Sequence, residues 1–172
     1  MQLSTRIVMT GAAFAALAAP AAAQSIDLTV TIPRLSVAEY HRPYVAIWLE
    51  KTGAPAKTLA VWYDHDMKDN EGTKWLRDVR QWWRASGRGL SVPADGITGA
   101  TKAPGTHKVS LGADVLGGAM APGEYTLLVE AAREVGGREL VKLPFSWPPK
   151  PGQSASAAGS TELGAVSATF KR

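Results

Sequence analysis

Apolar and polar residues alternate along much of the chain. In SIDLTVTI (25–32), Ile26, Leu28, Val30 and Ile32 alternate with Asp27, Thr29 and Thr31, the period of a strand with one buried face. YVAIWLEKTG (44–53) and KTLAVWYD (57–64) are rich in β-branched and aromatic residues. The Gly and Pro of the KTGAP between them predict a hairpin. THKVSLGA (106–113), EYTLLVEAARE (124–134), RELVKLPFSW (138–147) and GAVSATFK (164–171) continue the pattern, with Pro122-Gly123 and Gly136-Gly137 as turns. Short strands at this spacing predict an all-β fold with one helix, an antiparallel β-sandwich of immunoglobulin-like type. The Cys–Trp–Cys hallmark of true immunoglobulin domains is absent.

Two segments depart from the strand period. TKWLRDVRQWWRASG (73–87) gathers Trp75, Leu76, Val79, Trp82 and Trp83 in an apolar stripe about 120° wide at the helical period, opposite Lys74, Arg77, Arg80, Gln81 and Arg84. This predicts one amphipathic helix near residues 73–86 laid against the sandwich, capped by Asp69 or Asn70 and ended by Gly87. PPKPGQSASAAGSTE (148–162) has the composition of a flexible loop.

The N-terminus sets the compartment. Residues 1–23 carry Arg6, a short Ala-rich apolar run and a small-residue end, Ala21-Ala22-Ala23, the pattern of a cleaved secretory signal peptide. The run is too short and too rich in small residues for a permanent membrane anchor. The expected organisation is a signal peptide over 1–23 and a sandwich domain over 24–147. A flexible stretch (148–162) and a C-terminal strand of the same domain (163–172) follow, and the mature protein is expected in the periplasm.

Removing Arg6 takes the net charge from +4 to +3, spread without a basic run, so nothing marks a nucleic-acid binder. The chain has no cysteine, which excludes disulfides, thiol redox chemistry, cysteine-ligated iron–sulfur clusters and CxxCH haem attachment. No GxSxG or comparable signature supports a hydrolase. YDHDMKDNEG (63–72) groups Asp64, His65, Asp66, Asp69 and Glu71, but their spacing does not follow the ligand order of a calcium loop, so no metal site is assigned.

ADGITGATKAPGTH (94–107) lies between the helical segment and the next strand. Pro93, Gly96, Gly99, Pro104 and Gly105 keep regular structure out of it, so residues 93–105 read as a long exposed connection. Little bulk precedes Thr101, and its hydroxyl is expected to be accessible. Composition alone favours an ordinary loop whose Asp and Thr side chains bond to nearby backbone.

Asp95-Gly96-Ile97-Thr98-Gly99-Ala100-Thr101 resembles the acceptor motif of FAD:protein FMN transferases, roughly D-x-x-[S/T]-G-A-[S/T]. It is similar to the motif in the flavin-bearing subunits of the sodium-translocating NADH:quinone reductase and its Rnf-type relatives. The resemblance implies FMN joined through its phosphate to Thr101, with Asp95, Thr98, Gly99 and Ala100 completing the recognised pattern. RPYVAIWLE (42–50), KTLAVWY (57–63), KWLRDVRQWWR (74–84), DGITGATKAPGTHKV (95–109) and PGEYTLLVEAARE (122–134) together resemble a bacterial family of periplasmic proteins of unknown function. That family is associated with PepSY-type membrane proteins and FMN transferases.

The resemblances imply an electron carrier rather than a stand-alone enzyme. Its covalent FMN would be loaded by an FAD:protein FMN transferase and reduced by a PepSY-type transmembrane reductase or a similar donor. The Trp-rich helix could offer the flavin ring an apolar face, although Trp75, Trp82 and Trp83, all inside the apolar stripe, read first as core packing. The alternative is an immunoglobulin-like binding module for a peptide or a metal ion, without a flavin. Neither reading fixes the oligomeric state. N-terminal sequencing of exported protein should find a start at or near Gln24, and retention of Met1 would contradict the signal peptide.

Overall fold

In the computed structural model, which describes residues 24–172, the alternating segment Ser25–Ile32 forms β1 and buries Ile26, Leu28, Val30 and Ile32 on one face. The expected signal peptide lies outside the described residues. The following strands are β2 (Tyr44–Glu50), β3 (Lys57–Trp62), β4 (Thr98–Gly99), β5 (Gly105–Leu111), β6 (Gly123–Ala132), β7 (Arg138–Trp147), β8 (Ser154–Ala158) and β9 (Ala165–Lys171). They build a four-stranded sheet ordered β5-β1-β9-β8 and a five-stranded sheet ordered β4-β3-β2-β6-β7. Every pairing is antiparallel except the two-residue β3–β4 contact, which is parallel. The fold is the expected all-β sandwich.

The sheets close on a core of Ile26, Leu28, Val45, Ile47, Leu59, Leu127, Val129, Leu143, Val166 and their neighbours. Register places Leu28 opposite Val109 on β5 and Ala168 on β9, so one alternation serves both ladders. Phe145 on β7 stacks on Phe170 of β9 with ring centroids 4.1 Å apart, a contact that ties one sheet to the other.

A second apolar cluster lies on the outer face of the five-stranded sheet. Tyr44, Ala46, Trp48, Val61 and Tyr63 meet Leu76, Val79 and Trp82 there. The sheet is thus buried on both faces, which is why β2 reads as a continuous apolar run and not as an alternation. The covering segment corrects the expectation of one helix near 73–86. A 3-10 segment, Lys68–Asp78, is followed by the short helix α1 (Arg80–Ala85), with Val79 (φ −77°, ψ 72°) breaking the path between them. Asp69 and Asn70 do not cap it, having φ of 53° and 54°. The cap comes from across the sheet. Glu130 of β6, fully buried, accepts the N–H groups of Gln81 (2.9 Å) and Trp82 (2.9 Å) and pairs with Arg138 (2.8 Å). A fresh N-terminus pinned to a buried carboxylate is incompatible with a helix running straight through from residue 73. A further helix, α2 (Ala113–Leu116), and a 3-10 turn at Gly87–Gly89 were not expected.

Segment 148–162 also differs from the expected flexible loop, because Ser154–Ala158 pairs with β9 as the edge strand β8. Ala155 and Ala157 pack against the core while Ser154, Ser156 and Ala158 face solvent, so the strand carries no large apolar side chain. The connection from β8 to β9 is fastened by Glu139 of β7, which accepts the N–H groups of Ser160 (2.6 Å), Thr161 (3.0 Å) and Leu163 (2.8 Å) and the Ser160 hydroxyl (3.0 Å). Burial pushes this carboxyl up, but the Leu163, Ser160 and Thr161 N–H groups and the Ser160 hydroxyl outweigh it and hold it at about 2, against an ordinary 4.5. A depressed carboxyl contributes stability that is fully present above the unfolded value and is lost as pH falls from 4.5 toward 2. Denaturation across that window should show wild type losing its advantage over Glu139→Gln as the pH falls. A difference that does not change with pH would contradict this role.

Candidate functional site

Because β2 runs antiparallel to β3 and β6, the start of β2 and the ends of β3 and β6 lie at one end of the five-stranded sheet, joined there by the exit of β4. The 3-10 segment crosses above them. Gly72 allows the crossing to be close, since a Cβ there would collide with the Asp64 carbonyl oxygen. Between the 3-10 segment and the strand ends lies a cavity of about 330 Å³. Tyr40, Arg42 and Tyr44 reach it from the approach to β2, Asp64 from the end of β3, Arg133 and Glu134 from the end of β6, and Trp75 and Asp78 from the cover. Thr101 is part of its wall.

The position of Thr101 corrects the expectation of an exposed loop residue. It is only 8% exposed, and its hydroxyl donates to Asp64 Oδ1 at 2.8 Å. The preceding residues are held as well. Val61 N–H donates to the Ile97 carbonyl (2.9 Å) and Tyr63 N–H to the Gly99 carbonyl (3.0 Å), which adds β4 to the sheet edge. Thr98 Oγ1 accepts the Ala94 N–H (2.8 Å) and Thr98 N–H donates to the Ala94 carbonyl (2.9 Å), closing the turn before β4. Gly99 lies against Trp62, where a Cβ would stand 3.2 Å from the indole Cδ1. Asp95 and Ala100 are exposed. The seven-residue pattern therefore divides into an outward acid, a turn-closing hydroxyl, a glycine at a close approach and an inward hydroxyl.

Several cavity residues carry no sequence motif. Tyr44 donates to the Gly72 carbonyl (3.0 Å), and burial pushes its phenol up to about 12. Tyr40 has a buried hydroxyl with no hydrogen-bond partner among the described residues, and burial pushes this phenol up too, so it stays protonated and able to donate. Arg133 makes a two-point pair with buried Glu162 (2.9 and 3.1 Å), which spends its charge within the protein. The wall holds three carboxylates, Asp64, Asp78 and Glu134, against the guanidiniums of Arg42 and Arg133 and the imidazole of His41, whose Nδ1 lies 3.5 Å from Glu134. Arg42 forms no ion pair among the described residues. Asp64 had a sequence signal only as a member of an acidic loop. Tyr40 had none, and Arg42 and Arg133 stood in segments that carry the family resemblance without any role assigned, because only the strand ends bring them together.

The three tryptophans separate. Trp82 is fully buried, with its indole N–H bonded to Thr58 Oγ1 (2.9 Å), and is core. Trp83 is half-buried beside it, and Trp75 alone of the three lines the cavity. His65 Nδ1 lies 2.9 Å from Asp66, while Asp64 holds Thr101. Among the described residues no three His, Cys, Asp or Glu side chains gather as a metal-binding group.

Residues 25–165 match the family described as "Predicted periplasmic protein (DUF2271)". No curated protein and no solved structure matches the chain. Thr101→Val keeps the side-chain shape but removes the donor to Asp64, and should lower unfolding stability by about 1–3 kcal/mol in urea titrations, with Thr101→Ser near wild type. An unchanged midpoint for Thr101→Val would show that this bond does not hold the segment.

Proposed function

Since the chain belongs to the DUF2271 family of predicted periplasmic proteins, we propose that it is a periplasmic flavoprotein, exported through a cleaved signal peptide, with FMN esterified to Thr101. The observation that carries this reading is the meeting of two independent features. The residue matching the last position of the acceptor pattern is also the residue whose hydroxyl stands in the wall of a ligand-sized cavity.

The residues present fit such a group. Tyr40, Tyr44 and Trp75 offer aromatic surface, and the unpartnered Tyr40 hydroxyl offers a donor. The charge balance favours a tether over free binding. Three carboxylates face the cavity, one guanidinium is committed to Glu162, and no basic cluster is there to hold a dianionic phosphate. Esterification lowers the phosphate charge and leaves Arg42 as the cation available to it. When bound, the flavin supplies one- and two-electron transfer, and the chain's part is to hold and tune it.

Loading follows from the same geometry. In the transfer, the phosphoanhydride of FAD is cleaved, AMP leaves, a P–O bond forms to Thr101 Oγ1 and the hydroxyl proton is released. An FAD:protein FMN transferase must reach that oxygen, so segment 94–101 must be drawn from the sheet edge. Its release breaks the bond to Asp64 and the two main-chain bonds that hold β4 to β3. The proposed electron donor is a PepSY-type transmembrane reductase or a protein of similar role.

Co-expression with a competent transferase in a periplasm tests the reading. Intact mass, with the yellow absorbance of denatured, desalted protein, should show one FMN on wild type and Thr101→Ser and none on Thr101→Ala. No adduct on wild type, or an adduct that survives in Thr101→Ala, overturns it in favour of an unmodified binding module.

A further inference from the structure

We propose that the cavity at Thr101 is the seat of the isoalloxazine ring itself, with Trp75 and Tyr44 as its aromatic walls and the Tyr40 hydroxyl as a hydrogen-bond donor to the ring's polar edge. The inference rests on the reading of Thr101 as the FMN acceptor.

Four features point the same way. The cavity, at about 330 Å³, falls in the range of small-molecule sites and has Thr101, the residue that would carry the tether, in its lining. Its lining combines three aromatic side chains with a thioether, that of Met67, a surface suited to a flat, polarisable ring. Its carboxylate excess is unsuited to a dianion but tolerates the uncharged oxidised ring. The strongest feature is Tyr40. It belongs to the cavity lining, and its buried hydroxyl has no partner among the described residues, a cost that an acceptor reaching it from the cavity would relieve. The carbonyl oxygens and unprotonated nitrogens along one side of an isoalloxazine are acceptors of that kind.

The tether and the ring seat make separable demands on the chain. Thr101 determines whether flavin is present, whereas Tyr40 and Trp75 determine its surroundings once it is attached. Trp83, half-buried near Trp82 and outside the cavity lining, serves as a control tryptophan.

The test uses transferase-loaded protein and measures covalent FMN per chain, flavin fluorescence and quenching by iodide. Wild type, Tyr40→Phe, Trp75→Leu and Trp83→Leu should all carry one FMN. Relative to a proteolytic digest of the same material, wild-type fluorescence should be strongly quenched and protected from iodide. Trp75→Leu should raise the fluorescence several-fold, Tyr40→Phe should shift the flavin absorption bands while retaining the ring of Tyr40, and Trp83→Leu should match wild type. Full loading of wild type with fluorescence and iodide access equal to the digest would overturn the ring seat and leave the Thr101 assignment standing. Absence of FMN from wild type would remove both.

Discussion

Ala46, Trp48, Val61 and Tyr63 point away from the sandwich interior, and the apolar surface they form has to be kept from water. That constraint shapes the end of the molecule that holds the cavity. It draws residues 68–85 across the five-stranded sheet, where Leu76, Val79 and Trp82 complete the cover. The cover is held at one end by Glu130, whose burial is compensated by two helix N–H groups and Arg138. At the other end its 3-10 part spans the strand termini without filling the space beneath. The cavity is the space left between a sheet that must be covered and a segment that covers it incompletely.

Thr101 enters that space because β4, though only two residues long, adds to the sheet edge in parallel with β3. Pairing fixes the direction in which the chain leaves Gly99 and brings the hydroxyl of Thr101, two residues on, against Asp64. A bond from a neutral hydroxyl to a carboxylate favours the unmodified, folded arrangement. A phosphodiester at the same oxygen would place a second negative charge beside Asp64, a repulsion on the order of several kcal/mol at contact in a partly buried site. A form modified there would therefore need a different arrangement at Asp64. A small edge strand is the part of the sheet that can yield at least expense.

The sequence was most informative where one physical rule acted alone. Strands with one buried face, such as β1, β7 and β9, announce themselves by alternation, and their limits were legible to within a residue or so. Ser154–Ala158 was not, because small side chains at an edge give no apolar signal, and the strand exists by pairing with β9. The 73–86 stripe identified the right buried face, with Leu76, Val79 and Trp82 inward, but hid the break at Val79. The carboxylate responsible sits on β6, about fifty positions away. At the site, the pattern from Asp95 to Thr101 was readable and the direction of Thr101 was not. Gly, Ala and Pro suggested exposure, whereas the neighbouring strand supplied both the pairing and the acceptor that turn the side chain inward. Tyr40, Arg42 and Arg133 carry no chemical motif and meet only because the start of β2 lies beside the end of β6.

The central claim is that the inward hydroxyl of residue 101 is the point of flavin attachment in the protein's own compartment. Tandem mass spectrometry of peptides from protein isolated from its native cell envelope addresses this without any engineered partner. The account predicts a peptide covering residues 95–102 that carries FMN, with fragmentation placing it on Thr101 and not on Thr98. Recovery of that peptide only in unmodified form, or with FMN on another hydroxyl, would contradict it.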